Sequence, residues 1–273
     1  MKHIKSLKHI KNILICGFLT LFSCGENKKV NLIDIDDVKV NNTALLIGMR
    51  KTSLPKFSNI ATSRSKSNIK RIKKILERED FEDIEVIDSP TDSIFLKELK
   101  KKIERLNDED FLVVYYYGHG GQLPDDATGY DNEVDDMDET FVTFNRQVRD
   151  DEVNLILRNS KSMARVLFIV DACNSETSVS FTGELEHIQT LDYDEFSLDL
   201  LYLGATNDGK QIPPDTFSKI IEDVYDKGKF KGDYLEFEKE ITKKARRVRG
   251  MSPQLEIKWA SSDFTKQKPF KTN

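Results

Sequence analysis

Two residues that could do chemistry each follow a run of apolar residues. Cys173 stands just beyond the run 166–170, and His119 stands just beyond the run 111–117. The length and the β-branched or aromatic content of both runs predict strands buried on both faces, as in a parallel sheet. Ligands of open α/β sheets bind beyond the carboxyl ends of the strands. Both residues are therefore predicted to lie where such a sheet binds its ligand.

The pairing of a thiol with an imidazole indicates nucleophilic catalysis. A thiol is a weak nucleophile at its ordinary pKa, and a nearby imidazole either removes its proton or stabilises the thiolate. If the two strands are neighbours, His119 and Cys173 project from the same edge of the sheet. Three glycines around the histidine, Gly118, Gly120 and Gly121, allow a tight turn and a close approach of ligand. The alternative is a buried, inert cysteine.

Strands and amphipathic helices alternate along most of the chain. Six strands are predicted, at residues 44–48, 85–87, 111–117, 166–170, 200–204 and 255–259. Helical spacing of apolar residues predicts helices over residues 69–76, 95–106, 217–224 and 234–248. This alternation favours parallel βαβ units with right-handed crossovers, and hence an α/β fold.

Four motifs, in order, resemble the metacaspase branch of the caspase-like cysteine peptidases. They are YYGHGGQ, an acidic loop ending DDMDET, RDDEV before a short helix, and DACNS. The resemblance runs from Thr43 to the PQLEIKW segment, nearly the whole mature chain. It implies a three-layer α/β/α sandwich with a mostly parallel six-stranded sheet. It also implies His119 as the base, Cys173 as the nucleophile, and the N–H groups of Gly120 and Cys173 as the oxyanion hole.

Two residues beside this dyad bear on the choice of substrate. Asp171 could accept hydrogen bonds from backbone N–H groups, or it could line a pocket that pairs with an arginine or lysine of a substrate. In metacaspases the matching acid has the second role, which implies cleavage after Arg or Lys. Tyr117 stands where the family commonly has serine, and it could narrow that pocket or offer its hydroxyl.

Acidic residues crowd the segment between the histidine and the cysteine. They repel one another unless a cation or a basic partner lies among them, but they do not fit the EF-hand pattern. A solvated loop is the simpler interpretation of composition alone. The resemblance implies a calcium site, for which the candidates are Asp135, Asp136, Asp150 and Asp151. The hydrolysis itself needs no cofactor.

The first residues are typical of an export signal. A basic segment precedes the apolar run ILICGFLTLF and Ser23-Cys24-Gly25, and the run is too short to span a bilayer. LFSC resembles a lipobox, which implies a bacterial lipoprotein with an acylated Cys24. A plain signal peptide with an incidental cysteine is the alternative.

The resulting organisation has four segments. We expect a signal peptide at 1–23, a lipid anchor and tether at 24–42, a caspase-like peptidase domain at 43–265 and a C-terminal tail at 266–273. The chain is expected to be exported and lipid-anchored to a bacterial cell membrane, facing the periplasm. The formal net charge of −5 offers no basic footprint for nucleic acid.

Two functions remain open at this level. The first is a cysteine endopeptidase that acts on peptides or proteins. The second is a catalytically silent, lipid-anchored binding module, which is suggested by departures from the family pattern such as Tyr117 and Asn174.

Overall fold

The computed structural model describes residues 40–58, 62–124, 137–172, 197–205, 213–248, 251–258 and 260–271. Its strands are β1 Asn42–Gly48, β2 Asp83–Asp88, β3 Phe111–Tyr117, β4 Gly120–Pro124, β5 Met137–Val142, β6 Gln147–Arg149, β7 Arg165–Asp171, β8 Asp199–Gly204 and β9 Gln254–Lys258. Its α-helices are α1 Thr62–Arg78, α2 Asp92–Glu104, α3 Asp150–Arg158, α4 Phe217–Tyr225, α5 Tyr234–Ala245 and α6 Ser262–Thr265.

Six of the strands form the main sheet, in the order β2-β1-β3-β7-β8-β9. Every neighbouring pair is parallel except β8 and β9, which are antiparallel. The six strands predicted from the sequence are these six. The predicted α/β class and the mostly parallel six-stranded sheet are thus confirmed.

The alternation of side chains along β3 separates two cores. Val113 and Tyr115 join one apolar cluster, with residues of α1, α4 and α5, whereas Val114 and Tyr116 join a second, with residues of α2 and α3. Successive side chains of a strand point to opposite faces, so an unbroken apolar strand needs a helical layer on each side. The three-layer sandwich follows from this requirement.

The end of the described chain is part of the first core. Phe270 is fully buried, and its ring lies 5.9 Å, centroid to centroid, from the rings of both Tyr225 and Phe237. Its backbone N–H donates to the hydroxyl of Tyr234 at 3.0 Å. Residues of the predicted C-terminal tail therefore pack against the helical layer.

A second sheet, antiparallel in the order β4-β5-β6, lies in the segment that the sequence indicated as an acidic loop. Asp138 and Glu139 belong to strand β5 and are buried, so their assignment to a loop was wrong. Asp138 forms an ion pair with Arg149 of β6, which also donates to the carbonyl of Pro124 at 2.8 Å. The acidic residues made strand β5 look like a loop in the sequence. The charge of Asp138 is offset by Arg149, which lies eleven residues away in the chain.

Within the described ranges, no helix combines the length and the apolar character that crossing a bilayer requires.

Candidate active site

Strands β3 and β7 bring the two sequence motifs to one edge of the main sheet. They pair in parallel with Tyr117 opposite Asp171, so each strand ends at the same level. The N–H of Gly118 donates to the carbonyl of Asp171 at 3.3 Å, extending the pairing by one residue. The expectation that these strands are neighbours is confirmed. Cys173 itself lies outside the described residues.

His119 lies in the connection between β3 and β4, half-buried. Its carbonyl accepts from the N–H of Val142 at 3.1 Å and from the hydroxyl of Tyr116 at 2.9 Å. The same hydroxyl lies 2.9 Å from the carbonyl of Val142. A buried tyrosine beneath the sheet edge thus fixes the backbone at His119, a role that the sequence analysis missed.

The glycine before the histidine is required by this arrangement. A Cβ atom at Gly118 would overlap the hydroxyl of Tyr116 and lie 3.0 Å from the Cγ of Met49. Met49 also donates its N–H to the carbonyl of Tyr117 at 2.8 Å. The turn after β3 therefore runs directly over buried side chains, which leave no room for a side chain at Gly118.

The imidazole of His119 is shielded by an aromatic ring. Phe57, in a short 3₁₀ helix over Pro55–Phe57, places its ring centroid 5.5 Å from that of His119 at an interplanar angle of 41°. Burial lowers the pKa of the His119 imidazole because it penalises the charged form. A neutral imidazole can accept a proton, which is what a general base requires.

Asp171 is buried, with 2 % of its surface exposed. Its Oδ2 accepts from the hydroxyl of Tyr115 at 2.8 Å and from the N–H of Ser218, in the first turn of α4, at 3.2 Å. Burial raises its pKa to about 7, although both hydrogen bonds act in the opposite direction. The carboxylate thus links the edge of the sheet to helix α4, and its predicted contact with substrate stays a prediction.

Tyr117 is also buried, beside the same carboxylate. Its pKa is raised by burial first and then by the charges of Asp171 and Asp215. The carboxylate of Asp215 accepts from Arg71 and from Ser67. Two carboxylates therefore act on the tyrosine that replaces the serine common in the family. Asp215 is far from both motifs in the sequence, and no local pattern pointed to it.

Two of the four predicted calcium ligands lie among the described residues. Asp150 is buried and Asp151 half-buried in the first turn of α3, whereas Asp135 and Asp136 lie outside the described residues, as does Cys24. Among the described residues no three His, Cys, Asp or Glu side chains come together as metal ligands. Calcium takes about six to eight oxygen ligands, so the fit depends on Asp135 and Asp136.

Gly120, whose N–H is expected in the oxyanion hole, is the first residue of β4 and is half-buried.

A six-stranded, mostly parallel sheet between two helical layers, with a histidine and an aspartate at its carboxyl edge, defines a caspase-like fold. Residues 41–254 match the sequence model of the family described as Caspase domain, among the C14 peptidases. The match covers more than half of the 273 residues, and the chain belongs to this family.

A curated relative shares part of this sequence. Metacaspase-1 of Cryptococcus neoformans var. neoformans serotype D is 32% identical over 94 residues, which is 33% of this chain and 20% of the relative. The matched segment thus spans about a fifth of the relative's length.

Two solved structures share the fold. The protein GSU0716 from Geobacter sulfurreducens has a TM-score of 0.68 at 22% identity, covering 85% of this chain and 98% of that one. The structure of pro-sf-caspase-1 has a TM-score of 0.51 at 12% identity, covering 82% of this chain and 89% of that one.

The buried carboxyl of Asp171 generates a prediction about stability and pH. Its pKa of about 7 lies above the ordinary 3.8, so the folded protein holds this proton more tightly than the unfolded chain does. This contribution to stability is complete below about pH 4 and is lost as the pH rises towards 7. About 3 pH units at about 1.4 kcal/mol each give a loss of up to about 4 kcal/mol. In Asp171→Asn no proton is lost, so this part of the decline disappears.

Urea unfolding of the wild type and of Asp171→Asn between pH 4 and 8 measures the effect. Asp223→Asn, an exposed position on α4, is the control for a change of net charge. Parallel stability curves for Asp171→Asn and the wild type would show that the buried carboxyl does not carry this pH dependence.

Proposed function

We propose that the chain is a cysteine endopeptidase that hydrolyses peptide bonds with Cys173 and His119, after an Arg or Lys of the substrate. His119 accepts the proton of the Cys173 thiol, which gives a thiolate–imidazolium pair. The thiolate attacks the carbonyl carbon, and the N–H groups of Gly120 and Cys173 stabilise the oxyanion. As the C–N bond breaks, His119 protonates the leaving amine. Water then attacks the thioester, with the same imidazole as base, and releases the acid product and the thiol.

One observation carries this proposal: the register of β3 against β7. Tyr117 and Asp171 are opposite one another, and His119 and Cys173 each follow two residues later in the chain. The strands that precede both residues in the chain therefore end at the same level, at one edge of the sheet. The lowered pKa of His119 supports its role as a base, since it keeps the imidazole neutral near pH 7.

The preference for Arg or Lys is supported by the acid at this edge, because a substrate cation would favour the charged form of Asp171, which burial otherwise disfavours. The carboxylates of Asp171 and Asp215 both act on Tyr117, and neither is exposed as a free surface acid. A substrate cation would be a third partner for Asp171, in addition to Tyr115 and Ser218. Tyr117, opposite Asp171 in the register of β3 and β7, would then narrow the pocket beside this contact.

Cleavage of fluorogenic peptides ending in Arg, Lys or Asp by the full chain tests the proposal. We expect turnover of the Arg and Lys peptides, and a loss of kcat/KM of at least about a thousandfold in Cys173→Ala and in His119→Gln. His187→Gln changes the other histidine that follows the predicted signal peptide; it is the matched control and should retain activity.

Unchanged cleavage by Cys173→Ala would exclude this mechanism. If no peptide is cleaved and the Cys173 thiol reacts with an alkylating agent no faster than a free cysteine, the silent binding module becomes the better account.

We also propose that calcium activates the enzyme through Asp135, Asp136, Asp150 and Asp151. When bound, the ion would neutralise acids that otherwise repel one another between the two motifs. Calorimetric titration of the chelator-treated protein should detect calcium binding that Asp150→Asn and Asp151→Asn weaken by about tenfold or more. Asp223→Asn should bind calcium as the wild type does. Equal binding by all of the variants, or no binding by any, would contradict the assignment.

The third part of the proposal concerns the location of the chain. Acylation of Cys24 would hold it on the periplasmic side of a bacterial membrane, with residues 25–42 as a tether. In a bacterial host, Cys24→Ser should move the protein from the membrane fraction to the soluble fraction and remove the lipid mass from its N-terminal peptide. Cys16→Ser, within the apolar run, should leave both unchanged. Retention of Cys24→Ser in the membrane fraction would refute lipid anchoring through this residue.

A further inference from the structure

The segment after β1 is held tightly over the β5–β6 turn, across a long distance in sequence. Ser53 donates its N–H to the carbonyl of Phe144 at 2.7 Å, and its hydroxyl donates to the same oxygen at 2.8 Å. The hydroxyl of Thr52 donates to the carbonyl of Thr143 at 2.9 Å. These bonds make the segment a fixed wall of the site rather than a free loop.

Phe57, four residues after Ser53 in this segment, contacts His119. It is only 9 % exposed although it lies in a surface connection. Besides the ring contact with His119, Phe57 approaches Gly121 so closely that a Cβ atom there would lie 3.1 Å from the Cζ of Phe57 and would overlap Gln147. The absence of a side chain at Gly121 therefore lets the phenyl ring cover the start of β4, beside the imidazole.

We propose that Phe57 is a positioning residue for His119: its ring fixes the plane of the imidazole and keeps water from one side of it. The inference rests on the proposed function for its catalytic meaning, but the contact itself is independent of activity. A fixed imidazole plane aims a ring nitrogen of His119 at its proposed partner, Cys173. The exclusion of water strengthens the electrostatic interaction between the two.

The electrostatics of the site agree with this role. Burial is the cause that lowers the pKa of His119, and no neighbouring charge among the described residues contributes to the shift. A cation also contacts the phenyl ring, since the Nζ of Lys56 lies 5.4 Å from the centroid of the Phe57 ring.

The test is an NMR titration of the imidazole protons in full chains that carry Cys173→Ala, so that no thiolate affects the histidine. The chain has four histidines, and the signal absent from His119→Gln identifies His119. Phe57→Ala should raise the pKa of His119 towards its ordinary value of about 6.5. Phe144→Ala is the matched control, since Lys51 lies over the Phe144 ring at 5.6 Å as Lys56 lies over Phe57.

A second variant keeps the test decisive if Phe57→Ala folds poorly. Phe57→Leu keeps most of the apolar cover but removes the ring, so His119 should nearly keep its pKa and lose the ring-current shift of its protons. In the enzyme with Cys173 intact, Phe57→Ala should lower kcat by about tenfold and change KM by less than about twofold. The acidic limb of its pH–rate profile should move to higher pH, because the pKa of His119 rises.

The outcomes separate this inference from the proposed function. A His119 titration and ring-current shift equal in Phe57→Ala, Phe57→Leu, Phe144→Ala and the parent would overturn the role of Phe57, whatever the activity. The His119 pKa and ring-current shift could change only in the Phe57 variants while the chain that keeps Cys173 cleaves no peptide. That result would uphold the contact and refute the peptidase.

Discussion

The parallel pairing of β3 with β7 is the constraint on which the site depends. With Tyr117 opposite Asp171, the two strands that lead into the motifs end at one level, although these residues are more than fifty positions apart in sequence. A slip of one residue would turn every side chain of a strand to the other face. The slip would remove the Tyr115 hydroxyl from Asp171, since this hydrogen bond crosses from one strand to the other. Register is therefore held by polar bonds at the edge as well as by apolar burial along the strands.

The run Tyr115, Tyr116 and Tyr117 shows how one strand serves both faces. Tyr115 donates to Asp171 on the side of α1 and α4, whereas Tyr116 donates to the backbone of His119 on the opposite side. Each hydroxyl is buried, so leaving it without a partner would cost about 1–3 kcal/mol. The same bonds that satisfy these hydroxyls also position the two motifs.

Burial sets the electrostatic character of this edge. It lowers the pKa of His119 and raises that of Asp171 to about 7, so both groups shift towards their uncharged forms. Arg71 does not cancel this effect on Asp171, because its guanidinium is already paired with Asp215 and Glu222. An environment that disfavours charge in the resting protein leaves the imidazole free to accept a proton.

The sequence alone determined the alternation of strands and helices, the six strands of the main sheet and the pair of motifs at its edge. Local periodicity suffices for this, since apolar spacing reports burial directly. The β4-β5-β6 sheet was hidden because its charges are compensated by residues that only folding brings near, as with Asp138 and Arg149. The contacts of Phe57 with His119 and of Ser218 with Asp171 were likewise decided by tertiary structure. They join residues 62 and 47 positions apart, and no local pattern records a contact of that range.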